Sequence, residues 1–270
     1  MSRIEEALAK AAGMHAEGGR KAGSRPGMAR VPLSDSIQQQ GAQVAEETLV
    51  VINAPLSPMA EEYRKLKEAL VRMTKREQFW NLIAVTSATA GEGKSVTAAN
   101  LAASLASEFD HTVLLVDADL RRPSIHRYLG LGARKGLSDC LLEGLDIGDY
   151  LVKTDIGKLS VLPAGTAMPN PAELFSSETM RGLFREMKTR YADRYIIVDT
   201  PPVLPFAETR SMAGFVDGVV LVVKEGQPSL DQIQAAIDAL DNKVLGLVYN
   251  GTHTLERASY YYHYNHGYPG

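Results

Sequence analysis

The sequence carries a single cysteine in 270 residues, Cys140. That excludes an intrachain disulfide and a cysteine-built metal site. Within Leu137-Ser138-Asp139-Cys140-Leu141-Leu142 the thiol reads as a small core side chain, not a reactive one. Long apolar runs are also missing: none nears the roughly 18 residues of a membrane span, and no secretory apolar segment stands at the N-terminus. The expectation is a cytoplasmic protein whose membrane role needs a separate partner. Excess charge is absent too. The net charge of −3, from 29 Lys and Arg against 32 Asp and Glu, leaves no general basic surface for sequence-independent nucleic-acid binding. Apolar residues make up 45%, ample for the core of one large domain with extensions.

Three regions follow from pattern and composition. In residues 1–47, Ile4, Leu8 and several alanines at helical spacing predict a short amphipathic helix over 2–12, and a Gly, Ser, Gln and Pro-containing linker follows. Residues 48–250 alternate strand and helix signals. A helix is expected over 58–75, and strands over 82–86, 112–116, 159–162, 195–198, 216–223 and 244–249. Most of these strands are continuous Val, Ile and Leu runs, which suits parallel strands covered on both faces. The fold class is therefore α/β, a doubly wound, mostly parallel sheet of the P-loop NTPase type. Residues 251–270 form a Gly-, Pro- and Tyr-containing tail.

Directly after the apolar run Leu82-Ile83-Ala84-Val85 comes Ala88-Thr89-Ala90-Gly91-Glu92-Gly93-Lys94-Ser95, a phosphate-binding loop between a strand and the helical stretch 96–108. Glycines at 91 and 93 permit backbone conformations closed to other residues, so successive N–H groups from Ala90 to Val96 can face anionic oxygens at a helix start. Lys94 is placed for the β- and γ-phosphates and the Ser95 hydroxyl for Mg²⁺. Asp117 and Asp119 follow Val113-Leu114-Leu115-Val116, and Asp199 follows Ile196-Ile197-Val198. Ligands of such sheets bind at the carboxyl ends of strands, so these carboxylates are expected beside the phosphate loop. There, carboxylates, Ser95 and phosphate oxygens would complete an oxygen site for Mg²⁺. A helix cap or turn is the alternative for any one of them.

These motifs resemble those of the bacterial tyrosine autokinases, the P-loop kinases of exopolysaccharide synthesis and export, over about residues 58–268. The second acidic motif of that family looks like Val113 to Arg121, its Walker B motif like Tyr195-Ile196-Ile197-Val198-Asp199-Thr200-Pro201-Pro202, and Leu162-Pro163-Ala164-Gly165 with Pro169-Asn170-Pro171-Ala172-Glu173-Leu174 is similar as well. The start Met1-Ser2-Arg3-Ile4-Glu5-Glu6-Ala7-Leu8 is similar to the exosortase-associated subgroup. Departures are Ala88 in place of the first loop glycine, Ala90 where proline is frequent, and a Glu-x-x-Arg-x-x-Arg oligomerisation motif written Glu61, Arg64, Lys67. Lysine lacks the planar fork for bidentate pairing. At helical spacing these three residues make one stripe able to meet another subunit, with a solvated charged face as the alternative.

The resemblance implies ATP and Mg²⁺, with Lys94, Asp117, Asp119 and Asp199 as catalytic residues and Ser95, Asp119 and Asp199 around the metal. Asp117 is the better acceptor of a tyrosine proton, or else serves the metal. Arg121 pairs with a carboxylate or phosphate, or forms a surface ion pair. Five of the 11 tyrosines, Tyr260, Tyr261, Tyr262, Tyr264 and Tyr268, crowd the tail and are the expected phosphate acceptors. His263 and His266 are too few for a metal site. From Gly251 the tail spans at most about 65 Å, enough to reach the site of another subunit. A sticky aromatic tail that docks on a partner is the alternative. The implied partners are further copies of the chain, a separate transmembrane activator of polysaccharide export at the inner membrane face, and a tyrosine phosphatase. Nucleic acid is not among them. Partitioning ATPases with a deviant P-loop share such motifs, but they carry a signature lysine where Thr89 stands. A catalytically quiet regulatory subunit is opposed by the intact Lys94, Ser95 and aspartates.

Overall fold

The computed structural model describes residues 48–75, 77–108 and 110–252. The expected helix over 2–12, the linker and the tyrosines at 260–268 lie outside the described residues. After a short helix, α1 (Val50–Asn53), comes α2 (Pro58–Thr74). The Ser57 hydroxyl accepts the Ala60 N–H at 3.1 Å, and Pro58 occupies the first turn, where its missing N–H costs nothing. Then follow β1 (Leu82–Ser87), α3 (Lys94–Ala106), β2 (Val113–Asp117), α4 (Ile125–Tyr128) and α5 (Leu137–Glu143). A 3₁₀ turn at Ile147–Tyr150 leads to β3 (Val152–Lys153), β4 (Leu159–Leu162), α6 (Ala172–Ser176) and α7 (Glu178–Arg190). The last elements are β5 (Tyr195–Asp199), α8 (Ala207–Ala213), β6 (Gly218–Lys224), α9 (Leu230–Asp238) and β7 (Val244–Asn250).

The seven strands form one sheet in the order β3-β4-β2-β5-β1-β6-β7, parallel except for the β3–β4 pair. Every residue of β1, β2 and β5 is buried, as continuous apolar runs require when helices cover both faces. Side chains alternate between two cores. Leu82, Ala84, Leu114 and Val116 join Phe175, Phe184 and Met212 from α6, α7 and α8 on one face. Ile83, Val85 and Leu115 join Leu70, Leu101 and Leu105 from α2 and α3 on the other. Five alanines of α3, at 98, 99, 102, 103 and 106, are buried and let this helix lie close to the sheet. Cys140 belongs to the first core, where burial pushes its thiol up to about 11, the state of an inert side chain.

The register sets the site. Asp117 pairs with Asp199 across β2 and β5, and Asp199 with Val85 across β5 and β1. The ends of three adjacent strands therefore converge where the loop after β1 begins. The elements differ from expectation in small ways. The helix after the phosphate loop starts at Lys94, because Gly93 takes the left-handed conformation immediately before it. The two-residue β3 was not anticipated, since two residues carry no period. The run 49–52 contributes a helical turn. Among the described residues no helix is long and apolar enough to cross a membrane.

Candidate active site

Gly91 and Gly93 have φ of 85° and 91°, the region where a side chain is strained. A Cβ on Gly93 would also stand 2.1 Å from Asn250 Nδ2. The phosphate loop is braced from outside its own sequence. The Asn250 side chain donates to the Glu92 carbonyl at 2.8 Å, and Gln227 Nε2 donates to the Ala90 carbonyl at 2.5 Å. Glu92 is fully buried, and its carboxylate accepts the Thr89 N–H, the Thr89 hydroxyl at 2.9 Å and the Lys224 N–H at 3.2 Å. Glu92 therefore has only its backbone N–H left for a ligand. Thr89, where partitioning ATPases place their signature lysine, is part of this internal brace.

Lys94 Nζ lies 2.7 Å from Asp119 Oδ2, 3.5 Å from Asp199 Oδ1 and 3.1 Å from Ser95 Oγ. Burial alone would pull its ammonium down, but Asp199, Asp119 and Asp117 outweigh that and hold it above its ordinary value. Asp119 also accepts the Arg122 N–H at 3.0 Å. Asp117 is fully buried; its Oδ2 accepts the N–H groups of Ser124 and Ile125, and its Oδ1 that of Asp119. Burial, then the facing Asp199, pushes the Asp117 carboxyl up to about 8 despite these bonds. Burial likewise raises Asp199, with Lys94 opposing.

Both Asp199 oxygens are buried, with no hydrogen bond of normal geometry and with Lys94 as an ion-pair neighbour at 3.5 Å. A carboxylate so placed has lone pairs free for a further cation. With Ser95 Oγ it offers hard oxygen donors suited to Mg²⁺, which commonly takes its remaining ligands from phosphate and water. The residues present fit the ion.

Four expected or adjacent residues have other roles. Arg121 donates to Glu208 Oε1 at 2.7 Å and to the Pro169 carbonyl at 2.6 Å, and its guanidinium stacks 4.5 Å over the Phe206 ring. It binds the β2–α4 loop to α8 and to the 169–170 segment. Glu61 and Arg64 pair with each other at 2.6 Å on the half-exposed side of α2. Lys67 departs from their stripe: it is buried and pairs with Glu108 beyond the end of α3. The outward stripe thus consists of Glu61 and Arg64. The residues missed from sequence, Gln227, Asn250 and Glu208, hold the site from the turn after β6, the end of β7 and α8. The first two follow or end strands, so the strand-end rule applied to all strands would have flagged them.

Fold and site together define a P-loop nucleotide-binding protein with acidic strand ends. The AAA domain family matches residues 80–244. The tyrosine-protein kinase YwqD of Bacillus subtilis (strain 168) is 34% identical over 221 residues, 81% of this chain and 92% of that protein. The succinoglycan biosynthesis transport protein ExoP of Rhizobium meliloti (strain 1021) is 32% identical over 217 residues, 78% of this chain and 27% of that longer protein. The kinase domain of Escherichia coli tyrosine kinase ETK superposes with a TM-score of 0.70 at 27% identity, over 76% of this chain and 80% of that one. The chain belongs to the bacterial tyrosine-protein kinases.

Proposed function

We propose that the chain is an ATP-dependent tyrosine autokinase that phosphorylates the cluster Tyr260, Tyr261, Tyr262, Tyr264 and Tyr268 between subunits and so regulates exopolysaccharide polymerisation and export. The observation that carries this reading is the convergence of Lys94, Asp119 and the fully buried Asp199 at adjacent strand ends behind a phosphate loop. The ExoP relative, named for succinoglycan biosynthesis and transport, supports the polysaccharide context.

Phosphoryl transfer asks a protein for alignment and charge stabilisation. The loop N–H groups from Ala90 to Val96 and the Lys94 ammonium bind phosphate oxygens. Ser95 and Asp199 would hold Mg²⁺, which would neutralise phosphate charge when bound. Asp119 keeps Lys94 in place and would be a further residue to hold the metal. The phenolic oxygen of a tyrosine bonds to the γ-phosphorus as the bond to the bridging oxygen breaks, ADP leaves, and the phenolic proton passes to Asp117. Asp117 accepts this proton as the carboxylate, the form that Lys94 and the Ser124 and Ile125 N–H groups favour against burial and Asp199. Glu61 and Arg64, with exposed Leu56 and Met59 beside them, form the contact between copies. A separate transmembrane activator recruits the chain to the inner membrane face, and a phosphatase resets the tail. Residues 1–8 resemble the start of the exosortase-associated subgroup, which supports that branch of the family.

The test of transfer between subunits mixes full-length Lys94→Met chain, as acceptor, with active chain truncated after Leu255, as donor. Phosphotyrosine on the acceptor tail is expected. An unlabelled acceptor, in the presence of intact chain that labels itself, overturns transfer between subunits.

A further inference from the structure

A cavity of about 490 Å³ lies between α7 and α8, lined by Arg181, Arg185, Lys188, Ser211, Phe184 and Phe215. It is not part of the active site. Lys188 pairs with Asp217, whose carboxylate accepts the Leu82 N–H at the beginning of β1, whereas the phosphate loop leaves the end of that strand. Six residues of strand place roughly 20 Å between the two.

The lining has two chemistries. Arg181, Arg185 and Lys188 recur at three- and four-residue spacing and stand on one side of α7. Lys188 is committed to Asp217, and Arg181 to Glu178, a side chain that is 80% exposed; such a surface pair is readily exchanged. Arg185 forms no ion pair among the described residues. Beside these cations lie aromatic rings, Phe215 packed at 5.4 Å between centroids on the buried Phe184. A guanidinium fork matches phosphate oxygens, while the rings offer an apolar wall to a flat ligand. Inorganic phosphate would use only the first, and an apolar peptide only the second.

We propose that this cavity is a phosphotyrosine-binding site, occupied by the chain's own tyrosine-rich stretch once it is phosphorylated. Arg185 and Arg181 take the phosphate, and Phe215 takes the phenyl ring. Five tyrosines between 260 and 268 supply the ligand, and the 18 residues beyond Thr252 span up to about 60 Å when extended, ample for the separation. The proposal rests on the autokinase reading only for the source of the phosphate. It gives the tail two destinations, the active site when unmodified and this cavity when modified, so the state of the tail is read at a surface remote from catalysis.

The test uses full-length Lys94→Met chain, which lacks the ammonium that would hold a phosphate in the active site. Synthetic peptides of residues 256–270, with and without phosphate on Tyr260, Tyr261 and Tyr262, are titrated by fluorescence anisotropy. The phosphopeptide should bind and the plain peptide should not. Adding Arg185→Ala should weaken binding about tenfold, the loss of one charge-assisted contact, and Arg181→Ala with Arg185→Ala should abolish it, with thermal melts showing the fold intact. Phenyl phosphate should displace the peptide at lower concentration than inorganic phosphate. Equal binding of both peptides, or binding unchanged by the arginine substitutions, overturns the proposal. So does retention of the chain on phosphatidylglycerol vesicles through the same arginines without peptide binding. Because the peptide is synthetic, these outcomes stand apart from whether the chain phosphorylates itself.

Discussion

A negative charge within a loop that binds phosphate should weaken binding, so simple electrostatics predicts that Glu92→Ala tightens ATP. The structure predicts the reverse. Glu92 is fully buried, and its carboxylate holds Thr89 through both N–H and hydroxyl and reaches the Lys224 N–H at the end of β6. Bonds to an ionised acceptor contribute about 1.5–3 kcal/mol each, and a buried donor left alone costs about 1–3 kcal/mol. Three such contacts disappear together, and the loop relieves part of the loss by opening to water, leaving a net destabilisation of roughly 2–4 kcal/mol. At about 2–4 °C per kcal/mol for a domain of this size, the melting temperature should fall by roughly 5–15 °C. If half of that energy is spent re-ordering the loop when nucleotide binds, ATP affinity should drop about 5- to 30-fold. Glu92→Gln keeps an acceptor oxygen for Thr89 and should fall between. Calorimetric titration of ATP alongside thermal melts measures both quantities. Tighter ATP binding with an unchanged melting temperature would refute the brace.

Two further outcomes follow from the buried carboxylates. The Asp117 carboxyl, at about 8 folded against 3.8 in the ordinary state, holds its proton more tightly folded than unfolded. Its contribution to stability is therefore full below about pH 4 and is lost as pH rises toward 8; melts of ligand-free protein from pH 5 to 8 should decline less steeply for Asp117→Asn than for the parent, and equal slopes would count against it. Arg121→Ala strands the fully buried Glu208 without its guanidinium. Breaking a buried pair costs about 3–5 kcal/mol, and the partial exposure of Arg121 places the expected loss near the lower end, measured by denaturant unfolding; a loss under about 1 kcal/mol would show that the pair is not the tie between α8 and the β2–α4 loop.

Much of the site was legible because its signals are local. Apolar runs ending in Asp117 and Asp199, and a glycine-containing loop opening a helix, are properties of consecutive residues, and the strand-end rule then brings them together. The register supplied the rest: only the pairing of Asp117 with Asp199 shows why these carboxylates face each other. Residues whose roles depend on distant packing were not legible. Lys67 looked like part of an outward stripe until Glu108, 41 positions away, drew it inward. Gln227 and Asn250 brace a loop more than 130 positions earlier in the chain, and a two-residue strand such as β3 leaves no pattern. Glu92 illustrates the same limit: its position in the loop was plain, but its side chain serves the protein and not the phosphate.

The most direct measurement is incubation of the purified chain with Mg-ATP followed by mass spectrometry of the C-terminal peptide, in parallel with Lys94→Met and with the chain truncated after Leu255. Phosphotyrosine is expected within 260–268 in the parent and none in Lys94→Met. ADP release without phosphotyrosine, even with a membrane activator segment added, would contradict that expectation and leave a nucleotide-driven switch in place of an autokinase.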